Sequence, residues 1–157
     1  MTNVAYELGN QLKEKLISSD NISSISYESL LIMGMGGSGV AGDVLKLFSN
    51  SKVSTEVTVI KNYSIPKNLI EKKPFCLFIS YSGNTEETIS GLNEAITNNF
   101  NWAVISSGGK LIELAKNHHK EFIQIPSGLQ PRAAFGYLSK AVSTFLDHNE
   151  NTDFALQ

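Results

Sequence analysis

Residues 31–42 read LIMGMGGSGVAG. A short apolar run meets a glycine-rich turn, and beyond it Val40, Val44, Leu45 and Phe48 recur at helical spacing. The stretch is a strand, a tight turn and a helix. Gly34, Gly36 and Gly39 also satisfy G-x-G-x-x-G, a pattern in which backbone passes close to a pyrophosphate. What this turn holds is settled by the rest of the chain.

The same alternation repeats. SLLIMG (29–34), VSTEVTVIK (53–61), PFCLFIS (74–80), NWAVISS (101–107) and EFIQIP (121–126) read as strands. Helical periodicity marks residues 38–48, 85–98, 110–118 and 131–148, the last with Ala134, Leu138, Ala141 and Phe145 in register. Ala5, Leu8, Leu12 and Leu16 predict a further amphipathic helix over residues 3–18, followed by a Ser-rich loop over 20–27. NYSIPKN after the second strand reads as a loop punctuated by Pro66. Apolar strands alternating with helices predict an α/β fold: a doubly wound, five-stranded parallel sheet with helices on both faces. The right-handed crossover rule leaves few topologies, and the flavodoxin-like order 2-1-3-4-5 is the one expected. One domain covers 1–157, with residues 1–20 as an N-terminal addition and 29–148 as the α/β core. Ligands of such sheets sit beyond the carboxyl ends of the strands, so the residues that follow each strand carry the chemistry.

Composition excludes several classes of function. The 157 residues carry a net charge of −2 with no basic run, which argues against a nucleic-acid surface. No stretch of about 18 uncharged apolar residues exists to span a membrane, and the polar N-terminus lacks a signal peptide's apolar region. A cytoplasmic location is expected. Cys76, the single cysteine, lies in the apolar run FCLFI and reads as a buried structural thiol. His118 and His119 are adjacent rather than at ligand spacing, and His148 lies in the polar tail, so no metal site is expected.

The dinucleotide reading fails its second requirement. An acidic residue should close the second strand to bind ribose hydroxyls, yet Lys61 and Asn62 stand there, and Glu56 lies at the strand's other end. A P-loop fails as well: Gly37 and Gly42 are correctly spaced, but Asp43 occupies the lysine position. No cofactor is expected. Ser38, at the opening of the helix, either caps it or binds a ligand oxygen.

The loop after the third strand, SYSGNTEET (80–88), is the most informative in the chain. It sets five hydroxyls and a glycine at a strand-to-helix junction, where unpaired N–H groups and the helix dipole favour an anion. With no Lys or Arg in the loop, a small monophosphate suits it better than a triphosphate with Mg²⁺. Asn84 and Glu87 have capping-box spacing and predict a cap on the following helix. That cap leaves Ser80, Ser82, Thr85 and Thr88 unexplained. After the fifth strand, PSGLQPRAAFGYL (126–138) places Pro131 at the first turn of the last helix. Arg132 beside it opposes the helix dipole, a cost that an anionic ligand would offset.

Taken in order, GMGGSGVAGD, SYSGNTEET, SSGGKLIELA and PSGLQPRAAFGYL resemble the sugar isomerase (SIS) domain family. The closer likeness is to the N-terminal half of the bifunctional phosphoglucose/phosphomannose isomerases, over about residues 30–140. The resemblance implies reversible conversion of glucose 6-phosphate, and mannose 6-phosphate, to fructose 6-phosphate through a cis-enediol, without metal or organic cofactor. It implies that Ser38, Ser80, Ser82 and Thr85 hold the phosphate or nearby sugar oxygens, and that Gly36 and Gly37 allow close sugar approach. Arg132 would stabilise the charge of the enediolate. Enzymes of that family carry two SIS-type halves, with the glutamate base and ring-opening histidine in the second. The resemblance thus implies a second SIS half or dimer partner that supplies the base. A sugar-phosphate sensor acting through a partner is the alternative from another class.

Overall fold

The computed structural model describes residues 2–19, 22, 27–52 and 55–150. In chain order the elements are α1 (Thr2–Lys13), β1 (Ile17–Ser18), β2 (Ser29–Gly34), α2 (Gly36–Lys52), β3 (Glu56–Ile60) and α3 (Lys67–Ile70). There follow β4 (Phe75–Ile79), α4 (Glu86–Thr97), β5 (Trp102–Ser106), α5 (Gly109–Asn117), β6 (Glu121–Gln124), a 3-10 turn (Pro131–Ala134) and α6 (Phe135–Glu150).

The sheet order is β1-β6-β5-β4-β2-β3. Its five parallel strands, β3-β2-β4-β5-β6, are in the predicted 2-1-3-4-5 order, with Leu30 opposite both Val57 and Phe75. The strand count is a correction. A sixth strand, β1, pairs antiparallel with β6 through Ile17↔Gln124 and Ser18↔Ile123. The predicted N-terminal helix stops at Lys13 for the same reason. Leu16 keeps the helical spacing but instead follows the chain down to the sheet, where it packs on the core. A two-residue strand that closes an edge has no periodicity of its own to read.

The strands are buried on both faces, as their unbroken apolar runs require. All five residues of β4, FCLFI, are buried. Leu30, Ile32, Phe75, Leu77 and Ile79 face Ala41 of α2 and Leu138, Ala141, Val142 and Phe145 of α6. Leu31, Met33, Cys76 and Phe78 face Leu69 of α3, Leu92 of α4 and Leu111 of α5. Burial of each such side chain contributes roughly 1.5–3 kcal/mol, and the alternation fixes the register, since a one-residue slip would exchange the two faces.

Three further readings are adjusted. NYSIPKN is a loop only as far as Pro66, which starts the short helix α3. The last helix begins as a 3-10 turn, so α6 proper starts at Phe135. The loop expected over 20–27 lies outside the described residues apart from Ile22 and Tyr27, as do Val53 and Ser54 of the second predicted strand.

Candidate functional site

The carboxyl ends of β2, β4, β5 and β6 open on one edge of the sheet, and each is followed by a loop rich in glycine or hydroxyls. Behind β2 the glycine turn packs a helix against its own strand. A Cβ on Gly39 would stand 2.7 Å from the Gly34 carbonyl, so only glycine lets α2 approach its own strand so closely. Gly37 faces the backbone of the 3-10 turn, since a Cβ there would lie 3.5 Å from the Pro131 carbonyl oxygen. The turn after β2 and the segment carrying Arg132 are therefore neighbours, although 95 residues separate Gly37 from Arg132 in sequence.

Ser38 is 5% exposed, in the first turn of α2. Its Oγ accepts the backbone N–H of Tyr81 at 3.3 Å, tying the first loop to the second. In that second loop, Ser80 Oγ and Thr85 Oγ1 are 2.7 Å apart, and Ser80 Oγ accepts the Gly83 N–H at 3.1 Å. Ser82 Oγ lies 3.5 Å from Ser80 Oγ and accepts the Asn84 N–H at 3.2 Å. Three hydroxyls are thus gathered within one turn at the N-terminus of α4. Thr85 is the N-cap residue of α4, and its side chain makes no capping bond, being turned to Ser80 instead. Thr88, also singled out by the sequence, is 1% exposed and its Oγ1 has no partner among the described residues.

Gly83 holds the loop's shape. Its φ is +73°, and a Cβ would stand 1.9 Å from the Gly108 carbonyl oxygen. No side chain fits there. The neighbouring Asn84 corrects the capping prediction: its Oδ1 accepts the Lys110 N–H at 3.0 Å and so caps α5, not α4. Sequence spacing shows only the helix that follows, whereas the parallel sheet places the start of the next helix beside the loop. Glu87 likewise serves no cap. Its charge is the chief reason that the pKa of Tyr63 is raised, which places the carboxylate beside the loop after β3.

Tyr81 is the residue that sequence reasoning missed. Its hydroxyl donates to the Pro126 carbonyl at 3.2 Å and accepts the Leu129 N–H at 2.8 Å. Its own carbonyl accepts the Ser107 N–H at 3.0 Å and the Ser107 hydroxyl at 2.6 Å. With the Ser38 bond, Tyr81 touches the loops after β2, β5 and β6 from the loop after β4. A lone aromatic among serines at a strand end was the available signal.

Arg132 is exposed on the 3-10 turn and makes no hydrogen bond or ion pair among the described residues. The two residues that excluded nucleotide motifs are partners: Lys61 Nζ and the Asp43 carboxylate form an ion pair at the end of β3. Burial pushes the Cys76 thiol up to about 12, as expected of a structural rather than reactive cysteine. Among the described residues no cluster of His, Cys, Asp and Glu could hold a metal ion, and no helix is long and apolar enough to cross a membrane.

No family model matches the chain. Curated relatives do. The bifunctional phosphoglucose/phosphomannose isomerase of Caldicellulosiruptor bescii is 38% identical over 133 residues, 85% of this chain and 37% of that protein. The enzyme of the same name from Thermoplasma volcanium is 40% identical over 136 residues, 86% of this chain and 42% of its own. The D-glucosamine-6-phosphate 4-epimerase of Sulfolobus acidocaldarius is 32% identical over 158 residues, the whole of this chain and 49% of the relative. The chain thus spans about two fifths to one half of the length of these relatives. Among solved structures, a sugar-phosphate isomerase of Listeria monocytogenes superposes with a TM-score of 0.70 over 96% of this chain and 86% of its own, at 14% identity. The Vibrio vulnificus NanR protein, complexed with ManNAc-6P, also reaches 0.70, over 96% of this chain and 62% of its own, at 13% identity. At such identities the structures attest the fold alone. The sequence matches carry the likeness further, over the same loops that meet at the sheet's carboxyl edge. The chain is an SIS-domain protein, similar over most of its length to part of the bifunctional phosphoglucose/phosphomannose isomerases.

Proposed function

We propose that the chain is the phosphosugar-binding part of an aldose–ketose isomerase that interconverts glucose 6-phosphate, and mannose 6-phosphate, with fructose 6-phosphate. The observation that carries this reading is the cluster of Ser80, Ser82 and Thr85 hydroxyls at the N-terminus of the twelve-residue helix α4. A phosphate dianion there meets O–H donors, backbone N–H groups and the positive end of the helix dipole. Ser38 completes the binding set beside Tyr81, and Gly36 and Gly37 leave room for the sugar.

Isomerisation moves a proton between C2 and C1 and leaves negative charge on the enediolate oxygens. Arg132, exposed at the same edge and without a partner among the described residues, is the group that neutralises that charge. The proton itself needs a base. Asp43 is engaged by Lys61, Glu87 lies beside Tyr63, and Glu86 is exposed on the first turn of α4. The base and the ring-opening acid are therefore assigned to a second SIS half or a dimer partner. The shorter span of this chain relative to its curated relatives supports that assignment. A cytoplasmic location and a role in glycolysis belong to the same proposal, supported by the metabolic enzymes among the relatives.

The test is a titration with fructose 6-phosphate followed by amide NMR, beside a coupled isomerase assay. Shifts at residues 80–88, 36–39 and 132 without turnover are expected of the chain alone. Turnover by the chain alone would refute the assignment of the base elsewhere, and binding away from these loops would refute the site.

A further inference from the structure

The segment from Pro126 to Gly136 carries Arg132, and most of its residues are exposed. Two side chains from distant parts of the chain hold it. At its start, the Tyr81 hydroxyl bonds the Pro126 carbonyl and the Leu129 N–H. At its end, Gln11 of α1, 9% exposed, donates Nε2–H to the Ala133 carbonyl at 2.7 Å. Gln11 Oε1 also accepts the Gly136 N–H at 3.0 Å. Both ends of its amide are used: one bond is made within the 3-10 turn on which Arg132 sits and the other just beyond it, at the start of α6. Gly136 is built for this contact, since a Cβ on it would meet Gln11 Oε1 at 2.7 Å.

A buried amide that donates to the turn and accepts from the first turn of the helix after it fixes the orientation of that junction and not only its proximity. Tyr81 adds a link to the hydroxyl loop, because its N–H binds Ser38 and it follows Ser80 directly. An exposed arginine with no partner among the described residues, on an eleven-residue surface segment, would otherwise reorganise each time charge developed beside it, which weakens electrostatic stabilisation.

We propose that Tyr81 and Gln11 are positioning residues for Arg132: together they clamp the 126–136 segment and hold the guanidinium against the reacting end of a sugar whose phosphate sits in the 80–85 loop. The proposal rests on the phosphosugar reading above.

The test compares two probes on the full chain: inorganic phosphate, and a five-carbon phosphorylated aldonate whose carboxylate mimics the enediolate charge. The wild type should bind the aldonate at least tenfold more tightly than phosphate, and Arg132→Ala should abolish that preference. Tyr81→Phe and Gln11→Ala should each lose most of the preference while their phosphate affinity stays within about twofold. Amide exchange should quicken over residues 128–136 and not over α4. Wild-type protein that prefers neither probe overturns the phosphosugar reading itself. Wild-type discrimination that both variants keep overturns the clamp alone, as does equal weakening of both probes. Gln11→Glu, which keeps the acceptor for the Gly136 N–H, should retain more of the preference than Gln11→Ala, an ordering that a merely structural loss would not produce.

Discussion

The hydroxyls of Ser80 and Thr85 lie 2.7 Å apart across the loop that precedes α4, and the Thr85 side chain bonds its neighbour rather than capping the helix it begins. The helix N-terminus is left to other partners. Substituting both Ser82 and Thr85 by Ala should therefore weaken fructose 6-phosphate binding by several kcal/mol, at roughly 1.5–3 kcal/mol per hydrogen bond to a charged group. Calorimetric titration checks this. A melting curve close to wild type should accompany the loss, because Ser82 is exposed. Ser80→Ala differs: Ser80 is buried and its Oγ meets both Thr85 Oγ1 and the Gly83 N–H, which would keep only the Ser80 carbonyl as acceptor, so both binding and stability should fall.

Gly83→Ala should destabilise the fold by at least about 2 kcal/mol. The residue has φ +73°, and the added methyl would collide with the Gly108 carbonyl, a backbone atom that cannot turn aside. Urea denaturation measures the cost, and phosphosugar binding should be lost with it because the two loops would part.

Asn84→Ala should cost about 1 kcal/mol, the usual worth of a helix cap. Which helix suffers is the sharper readout. Amide exchange should quicken at Lys110 and the first turn of α5, whose N–H the side chain accepts, while α4 is spared. Faster exchange at the start of α4 instead would restore the capping box that spacing suggests.

Besides Tyr63, both Cys76 and Tyr137 bind their protons more tightly in the folded protein. The Cys76 thiol is raised from 9.0 to about 12 by burial. The Tyr137 phenol is raised from 10.0 to about 12, chiefly by its hydrogen bond to the Glu14 carboxylate. Since each folded value exceeds the unfolded one, the stabilisation is complete below about pH 9 and is lost as pH climbs toward 12. Urea midpoints should fall across that window, and Tyr137→Phe should make the decline shallower. In the native protein at neutral pH, Cys76 should react with a maleimide only through unfolding, at least about a hundredfold more slowly than the denatured chain.

The parallel sheet was legible because its strands are apolar on both faces: PFCLFIS and NWAVISS leave no alternative to burial between two helix layers. The candidate loops followed from the rule that ligands meet the strands' carboxyl ends, which needs only the strand boundaries. What escaped has a common cause. Ile17–Ser18, Asn84 and Tyr81 act on segments far away in sequence: β6, α5 and the 126–129 turn. Local spacing reports what a residue does to its own helix or strand, and in a parallel fold neighbours in space are seldom neighbours in sequence. The Asp43–Lys61 pair shows the opposite case. Each residue was informative as a misfit to a nucleotide motif, and the structure gives both a mundane role worth about 0–1 kcal/mol as an exposed pair.

The short strand β1 has a consequence for handling the protein. Every open sheet has two flanks with unused hydrogen-bonding groups, and the two here are guarded differently. β3 carries Glu56 and Lys61 at its ends, both in ion pairs, and such charges discourage a second molecule from adding a strand. β6 has a physical cover: Ile17 and Ser18 pair with it, and the Ser19 N–H bonds the Phe122 carbonyl at 3.0 Å. A form trimmed to begin at residue 28 would keep the whole parallel core and every loop of the site. It would also bare the flank of β6 and remove the helix that steadies the arginine turn. Such a shortened protein would be the sticky one, prone to stack edge to edge into aggregates, so the first nineteen residues act as a solubility device as much as a structural one.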